Sequence, residues 1–318
     1  MILPAFPPTL ATSGTAFFVE WEETACLLCG GPDSSPLVEA PDAIAGGSGL
    51  WFAVVQCQKC GLCFTNPRPS PGSIQRFYPP TYRPHRTPEF RGRLKKQARS
   101  LQKEPRWGKV GKVLARRGQS RLLDFGCGGG RFLKRMHREG WDVTGIDVSE
   151  DAVKRIRFGL GLRAHVGTLP CPNLPSGSFD LITMWQTLEH VHEPLEALRD
   201  AYRLLAPGGE LIVSLPNIDS LPFRIFGHAW LGLDLPRHLT HFTPPTLRAM
   251  LERADFSPGQ ARMIRHSGWL RASAKLACRI RPGTPWQRWL RSKSPSRLLT
   301  WYSYLTAQSD CILVKAFK

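Results

Sequence analysis

The chain has few acidic residues and no long hydrophobic run, and these two absences exclude several classes of protein. Its 318 residues include 25 Asp and Glu against 43 Lys and Arg, a formal net charge of +18. No apolar stretch approaches the roughly 18 residues that a transmembrane helix needs. Residues 1–20 contain three prolines and no basic residue, unlike a secretory signal, which begins with positive charge and has an unbroken apolar core. We therefore expect a cytoplasmic globular protein.

The basic residues are concentrated in two segments. Residues 83–121 contain 14 Lys or Arg and two acids, and residues 262–297 contain ten Lys or Arg and no acid. This concentration can indicate an anionic partner, either RNA, an acidic membrane surface or a phosphate-bearing substrate. The alternative for the first segment is a solvated connector, since no RNA-reading motif of aromatic and basic residues is visible. The second segment is rich in Trp and Tyr, which is typical of a helical lid or of a headgroup-facing surface.

Four of the nine cysteines form two Cys-x-x-Cys pairs. Cys26 and Cys29 make the first pair, Cys57 and Cys60 the second, and a glycine follows each pair. Two such pairs predict a zinc ribbon with four thiolate ligands, because disulfides are disfavoured in the cytoplasm. Four thiolates leave no vacant coordination position, so this zinc would be structural. Cys63 lies outside the pattern and is predicted to be buried.

A glycine-rich turn follows the apolar run that begins at Leu122. Residues 122–130 read Leu-Leu-Asp-Phe-Gly-Cys-Gly-Gly-Gly, and Arg131 stands where a dinucleotide fingerprint would have its third glycine. Asp124 precedes the turn, and its carboxylate disfavours pyrophosphate but suits a ligand with a sulfonium and an ammonium group. The following helix adds free N–H groups and the positive end of its dipole. A purely structural strand-to-helix turn is the alternative.

The order apolar-apolar-Asp-x-Gly-x-Gly-x-Gly resembles the first motif of the class I S-adenosylmethionine (SAM)-dependent methyltransferases. The next predicted strand ends at Asp147, where an acid can hold the hydroxyls of an adenosine ribose. Capping of the following helix is the alternative role for Asp147, but Ser149 already serves that purpose. The resemblance implies that SAM is bound by five residues of these two motifs. They are Asp124, Gly126, Gly128 and Gly130 at the turn, and Asp147 at the end of the next strand.

Strands and helices alternate four times after residue 119, which predicts an α/β fold. We expect a Rossmann-like doubly wound sheet, mostly parallel, in which residues 310–317 form a final antiparallel strand. Ligands of such sheets lie at the carboxyl ends of the strands, where Thr168 and Gln186 also fall. The resemblance implies that the turn with Thr168 contacts adenine, and Gln186 is a further candidate for cofactor binding.

Residues 179–191, Phe-Asp-Leu-Ile-Thr-Met-Trp-Gln-Thr-Leu-Glu-His-Val, resemble the fourth-strand motif of the same methyltransferases. The resemblance places Glu189 and His190 on the side towards which the transferable methyl group points. His190 could accept a proton from an acceptor hydroxyl. The alternative is that both residues only cap and orient the loop.

Residues 236–242, Pro-Arg-His-Leu-Thr-His-Phe, resemble the insertion that covers the substrate pocket in this group. Arg237 and His241 are therefore candidates for acceptor binding, and His238 is a second candidate base. Two histidines three residues apart can also bind a metal ion, but no third ligand is evident nearby in the sequence.

The segment after the second cysteine pair, Asn-Pro-Arg-Pro at residues 66–69 followed by Tyr78 and Tyr82, resembles bacterial methyltransferases that carry an amino-terminal zinc-binding module. We expect a loose leader (1–24), a zinc ribbon (25–68), a basic helical connector (69–118) and a methyltransferase domain (119–318). Insertions at about 218–245 and 266–307 would cover the substrate.

The predicted function is methyl transfer from SAM to a small-molecule, saccharide or lipid-linked acceptor. One alternative is an RNA methyltransferase that uses the ribbon and the basic connector. Another is a non-catalytic protein that binds the cofactor or a partner, although the intact glycine motif disfavours a degraded site.

Overall fold

The structure is a computed structural model that describes residues 19–43, 48–78, 120–280 and 284–318. Most of the predicted leader and of the basic connector, with Tyr82, lies outside these ranges. The predictions for those segments therefore remain predictions.

The strands and helices are numbered here in chain order. The strands are β1 (Trp21–Glu22), β2 (Ser34–Pro41), β3 (Trp51–Cys57), β4 (Cys63–Thr65), β5 (Arg68–Pro69), β6 (Arg121–Phe125), β7 (Asp142–Asp147), β8 (Arg163–Val166), β9 (Phe179–Trp185), β10 (Leu205–Pro216), β11 (Thr240–His241), β12 (Ser257–Pro258), β13 (Arg262–Ile264) and β14 (Cys311–Phe317). The helices are α1 (Arg131–Arg138), α2 (Glu150–Lys154), α3 (Pro194–Leu204), α4 (Leu221–Phe226), α5 (Pro244–Arg253), α6 (Ser267–Ile280), α7 (Pro285–Trp289) and α8 (Lys293–Leu305).

A mostly parallel sheet forms the centre of the molecule, in the order β12-β14-β10-β9-β6-β7-β8, with β13 also paired to β14. Strands β6 to β10 run parallel to one another, whereas β14 is antiparallel to β10, β12 and β13. The predicted fold class is therefore confirmed, including the final antiparallel strand. Strand β9 is central, and its apolar sequence matches its burial on both faces.

Two local features of the fold are irregular. Helix α2 continues into a π-helical segment, Arg155–Gly159, in which Phe158 is exposed. Strand β10 begins at Leu205 and includes the Pro-Gly-Gly of residues 207–209. Its pairing with β9 is irregular between Leu205 and Glu210, because Gly208 has a φ of +74° and proline lacks an N–H.

The amino-terminal module is joined to the methyltransferase fold by a shared sheet and a shared core. Its sheet has the order β11-β4-β3-β2, and β11 comes from the predicted insertion over the substrate. Phe64 of β4 and Phe242, which follows β11, belong to one hydrophobic cluster with Ile182 of β9. The module is thus packed against the domain that it precedes. No helix in the described ranges has both the length and the apolar character needed to cross a bilayer.

Candidate functional site

The glycine-rich turn connects β6 to α1 and leaves its own backbone uncovered. Gly126, Gly128 and Gly130 have φ angles of +75°, +50° and +70°, a conformation that glycine adopts without strain. A Cβ on Gly126 would lie 2.3 Å from the Thr187 hydroxyl oxygen, whereas a Cβ on Gly129 would meet nothing within 4 Å. The turn is therefore tightly packed at Gly126 and open at Gly129, which is exposed.

The carboxylate of Asp147 lies at the end of β7, directly beside this turn, and is 6% exposed. Its Oδ2 accepts the N–H of Gly128 at 2.7 Å, and its Oδ1 accepts the N–H of Ser149 at 2.9 Å. Ser149 caps α2 through its own hydroxyl, as expected. Each carboxylate oxygen has more than one acceptor site, so Asp147 can receive two further hydrogen bonds, one on each oxygen, from a vicinal diol.

Asp124 is the next-to-last residue of β6 and is 2% exposed. Its Oδ1 accepts the hydroxyl of Thr183 on β9 at 2.7 Å. The pKa of Asp124 is raised to about 7, mainly by burial; the Thr183 hydrogen bond opposes this rise and the nearby Asp147 adds to it. A cationic ligand at the turn would favour the ionised form of Asp124.

Thr168 and Gln186 lie at the same edge of the sheet, after β8 and β9. Thr168 is exposed, and its hydroxyl donates to the carbonyl of Leu169 at 3.3 Å. Gln186 has a φ of +52°, which is strained for a residue with a side chain. Its N–H donates to the Ser214 carbonyl at 2.7 Å. The structure thus brings both predicted cofactor residues to the carboxyl edge of the parallel strands.

Glu189 is the least satisfied of the candidate catalytic residues. It follows β9, is 1% exposed, and within the described part of the chain neither carboxylate oxygen has a hydrogen-bond partner. Burial raises the pKa of Glu189 to about 8. Its Oε1 lies 4.0 Å from Nε2 of His238, too far for a direct hydrogen bond. An oxygen atom between the two groups could be within hydrogen-bond distance of both.

His190 and His238 pack edge to face with ring centroids 4.5 Å apart. Nδ1 of His238 donates to the Gly232 carbonyl at 2.8 Å, so its Nε2 carries the lone pair that faces Glu189. Nδ1 of His190 lies 3.0 Å from the Arg237 carbonyl and 3.1 Å from the Tyr78 hydroxyl. Burial lowers the pKa of His190 to about 3 and that of His238 to about 4, so both are neutral at pH 7.

The ligand atoms of Glu189, His190 and His238 lie within 4.8 Å of one another, a set that could also hold a cation. The sequence indicated no acid near the histidines, and the structure corrects this. Asp234 Oδ2 also lies 4.0 Å from Nε2 of His238. His241 is not part of the group, because its Nε2 lies 3.2 Å from the hydroxyl of Thr65.

Arg237, a predicted acceptor-binding residue, is fully buried and bonded on every side. Its guanidinium forms ion pairs with Asp42 at 2.8 Å and with Asp234 at 2.9 Å, and donates to the Phe77 carbonyl at 2.8 Å. Asp42 in turn accepts the N–H of Ser48 at 2.7 Å. This arrangement links the amino-terminal module to the segment that carries His238.

A narrow cavity next to the histidine pair has no room for a water molecule. The cavity is lined by Pro216, Ile218, Trp230, Gly232, His238, Thr240 and His241.

The sequence reasoning missed several polar groups at this edge. Tyr78 reaches His190 from the amino-terminal module, and burial raises its pKa. Asp310 precedes β14 and is fully buried; burial raises its pKa to about 8. Its Oδ1 lies 3.9 Å from Nδ1 of His266, which stacks on Trp269. These residues are far apart in the chain, and no local pattern in the sequence indicates that their side chains come together.

The four cysteines of the two pairs converge as predicted. The sulfur of Cys26 lies 3.4 Å from that of Cys60, and the sulfur of Cys29 lies 3.5 Å from that of Cys57. All four sulfurs lie within 4.8 Å of one another, which is a set that could hold one metal ion. Cys63 is 2% exposed and is not a member of this set, so its predicted burial is confirmed.

Comparisons with known proteins agree with this geometry. A family model described as "Methyltransferase domain" matches residues 83–260. A protein named ubiquinone biosynthesis O-methyltransferase from Bordetella avium (strain 197N) is 34% identical over 159 residues, 46% of this chain and 66% of the relative. The protein of the same name from Xanthomonas oryzae pv. oryzae (strain PXO99A) is 33% identical over 172 residues, 50% of this chain and 72% of the relative.

Among solved structures, a putative methyltransferase from Bacillus halodurans C-125 has a similar fold. The TM-score is 0.50 at 18% identity, and the match covers 66% of this chain and 97% of that chain.

Proposed function

The chain belongs to the methyltransferase domain family, and on that premise we propose that it transfers the methyl group of SAM to a hydroxyl oxygen of a small-molecule acceptor. The assignment as a SAM-dependent methyltransferase was made from the sequence and is confirmed. The hydroxyl acceptor and the roles of the individual residues are the proposal. The observation that supports it most directly is the buried carboxylate of Glu189, which lacks a partner among the described residues.

The residues around the glycine-rich turn fit the cofactor. The backbone at Gly129 is open to a ligand, and Asp147 would offer one acceptor on each oxygen for the two ribose hydroxyls. The carboxylate of Asp124 lies beneath the turn and favours a positively charged ligand. Thr168 and Gln186 would border the adenine and the sulfonium at the strand ends. SAM supplies an electrophilic methyl group on its sulfonium.

Glu189 would receive the proton of the acceptor hydroxyl. The acceptor oxygen forms a bond to the methyl carbon while the bond from that carbon to sulfur breaks, and the hydroxyl proton passes to Glu189. Its pKa of about 8 suits a general base that works near neutral pH, whereas His190 and His238 have pKa values too low for that role. The lone pair on Nε2 of His238 can position the hydroxyl. Alignment of the two reactants contributes about 7–11 kcal/mol in well-oriented systems.

The comparisons also support a small acceptor that carries a hydroxyl group. The relatives at about one third identity are named as O-methyltransferases. Saccharides and lipid-linked molecules with a free hydroxyl remain candidate acceptors. The RNA alternative depends mainly on the basic connector, which lies outside the described residues, and a salt-independent affinity for RNA would contradict it.

We also propose that the four-cysteine cluster binds one structural zinc ion. Four thiolates at these separations form a closed tetrahedral set with no position for substrate. In this proposal the metal fixes two turns of the amino-terminal module and takes no part in methyl transfer.

Calorimetry with S-adenosylhomocysteine tests the cofactor site. Asp147→Ala is expected to weaken binding by about 10- to 100-fold, because two charge-assisted hydrogen bonds are lost. Asp151→Ala, at an exposed acid of α2, is the matched control and should bind like the wild type. Absence of binding by the wild-type protein would contradict the proposed cofactor role of the turn.

A transfer assay with radiolabelled SAM and a panel of phenolic, sugar and amine acceptors tests the reaction. Glu189→Gln should lower kcat by about 10²–10⁴ with a hydroxyl acceptor while its affinity for S-adenosylhomocysteine is retained. Transfer to amines alone, or full activity of the Gln variant, would overturn the proposal.

A further inference from the structure

Helix α8 is oriented with its small hydroxyl side chains towards the protein and its large apolar side chains towards solvent. Ser296, Thr300 and Ser303 are at most 4% exposed, and together with Pro295 they form its buried face. This is the reverse of the usual arrangement, in which an amphipathic helix buries its apolar face.

The buried hydroxyls are satisfied within the helix itself. Thr300 donates to the Ser296 carbonyl at 2.8 Å, and Ser303 donates to the Leu299 carbonyl at 3.0 Å. The hydroxyl of Ser296 donates to the carbonyl of Lys293 at 3.0 Å. This face can therefore pack against α6 without a desolvation penalty. Its orientation is a stable feature of the fold.

The outward face presents four large side chains at helical spacing. Leu298, Trp301, Tyr302 and Leu305 are 68%, 48%, 55% and 75% exposed and occupy positions i, i+3, i+4 and i+7. Helix α7, which precedes α8 in the chain and packs on the same helix α6, adds Trp286 and Trp289, of which Trp289 is 59% exposed. We call these six side chains the α7–α8 face. Exposed apolar residues concentrated on two such helices are typical of an interaction surface.

The chain segment that carries this face is rich in positive charge and contains no acid. Residues 262–309 contain ten Lys or Arg and no acid. The side chains of Arg288, Arg291, Lys293 and Arg297 are exposed on or between the two helices. The guanidinium of Arg265 lies 3.4 Å from the ring centroid of Trp301, which places a further cation against the face. A partner is therefore expected to be both apolar and anionic.

We propose that the α7–α8 face docks on an anionic lipid surface. Aliphatic and aromatic side chains would enter the boundary between headgroups and acyl chains, and the arginines and lysines would contact the lipid phosphates. RNA is a poorer match, because Leu298 and Leu305 offer no ring on which a base can stack. A second copy of the chain would place the positive charges of the two faces against each other. The inference is independent of the acceptor that the methyltransferase uses.

Sedimentation with vesicles tests the proposal on the full-length protein. Binding is expected to vesicles of phosphatidylcholine mixed with phosphatidylglycerol, and to be at least about tenfold weaker with phosphatidylcholine alone. Leu298→Ser combined with Leu305→Ser should lower the partition coefficient by at least about tenfold, because two exposed leucines no longer enter the lipid. Phe158→Ser, which removes an 86% exposed apolar side chain elsewhere, is the matched control and should bind normally.

The electrostatic contribution needs its own pair of variants. Arg291→Gln with Arg297→Gln should weaken binding by about tenfold or more, since each basic residue near the surface contributes about 1 kcal/mol. Lys134→Gln with Arg138→Gln, on α1, makes the same change in net charge and should have little effect. Hydrogen exchange of residues 293–305 should slow when vesicles are added.

Three results would overturn the proposal. The first is equal binding by the Leu298/Leu305 variant and the wild type. The second is a dimer in light scattering that this variant abolishes, which would assign the face to a second copy. The third is tighter binding to single-stranded RNA than to vesicles, lost in the same variant.

Discussion

At the scale of single residues, the glycine-rich turn depends on the absence of one side chain. Gly126 combines a φ of +75° with contacts of 2.3 to 2.9 Å between its notional Cβ and Thr187. Gly126→Ala is therefore expected to lower the melting temperature by several degrees and to displace the turn, because both strain and a clash are introduced. Calorimetric melting without cofactor provides the measurement.

Gly129→Ala is the control for this change. Position 129 lies in the same turn, but a Cβ there would contact nothing within 4 Å and its φ is outside the left-handed region. The melting temperature should stay within about 2 °C of the wild type, which is the size of effect expected for an unstrained surface substitution. Equal losses in the two variants would show that the clash with Thr187 is not the cause.

Asp310 predicts a pH dependence of stability. Its pKa is about 8 in the folded protein and near 3.8 when unfolded, so the folded state alone holds this proton between those values. The stabilisation that this proton contributes is complete below the pKa of the unfolded state and is lost as the pH rises through the folded-state pKa of about 8. Between pH 6.5 and 8, the free energy of unfolding of the wild type should fall relative to Asp310→Asn by up to about 1.4 kcal/mol per pH unit.

Urea unfolding at several pH values provides this comparison. The nearby His266 has a pKa lowered to about 4 by burial, so its contribution changes mainly below pH 6.5 and is present in both proteins. Parallel curves for the wild type and the Asn variant above pH 6.5 would contradict the prediction.

The local sequence was sufficient to predict where a residue lies when the chain immediately around it determines that position. Asp124, Asp147 and the three glycines of the turn were placed correctly because a parallel strand must end before a turn and a helix can begin. Glu189 and His190 were placed at the same edge for that reason. The pairing of Arg237 with Asp42, and that of His266 with Asp310, depends on side chains far apart in sequence, which no local pattern encodes. The roles of the candidate site residues in binding and catalysis stay predictions.

At the scale of elements, the two cysteine turns are expected to depend on one metal ion. Cys57→Ser should remove the bound zinc and destabilise the amino-terminal module, because a closed thiolate site contributes folding free energy. Cys63→Ser is the control, since Cys63 is equally buried but lies outside the cluster. Metal content by mass spectrometry should show about one zinc per chain in the control and almost none in Cys57→Ser. Zinc loss in both variants would indicate a different ligand set.

The longer strands and helices were predictable from periodicity, whereas the short strands were not. Strand β9 is a run of buried residues, and α5 begins with a Thr243–Thr246 capping box. Strand β11 contains only two residues, which is too short for any alternation to be visible. Its pairing with β4 is determined by tertiary contacts, and it is this pairing that unites the ribbon with the insertion.

At the scale of the whole molecule, a buried ion pair between Arg237 and Asp42 connects the amino-terminal module to the catalytic edge. Arg237→Met is expected to lower the free energy of unfolding by about 3–5 kcal/mol, because the buried carboxyl group of Asp42 loses its cationic partner. Urea denaturation measures this loss.

The pair of Arg224 with Asp219 provides the matched comparison. Both side chains are more than half exposed, so Arg224→Met should cost at most about 1 kcal/mol. Similar losses of unfolding free energy in the two variants would mean that burial does not determine how much each ion pair contributes to stability.

Strand β11 is synthesised long after β4, and this delay affects the order in which the protein folds during translation. Thr65 and His241, which contact each other across β4 and β11, are 176 residues apart. The nascent chain therefore exposes the unpaired backbone of β4 until most of the polypeptide has been synthesised, and such an edge invites association with other chains. Translation that stops before residue 240 should yield an aggregating fragment, even though the cysteine turns are already complete.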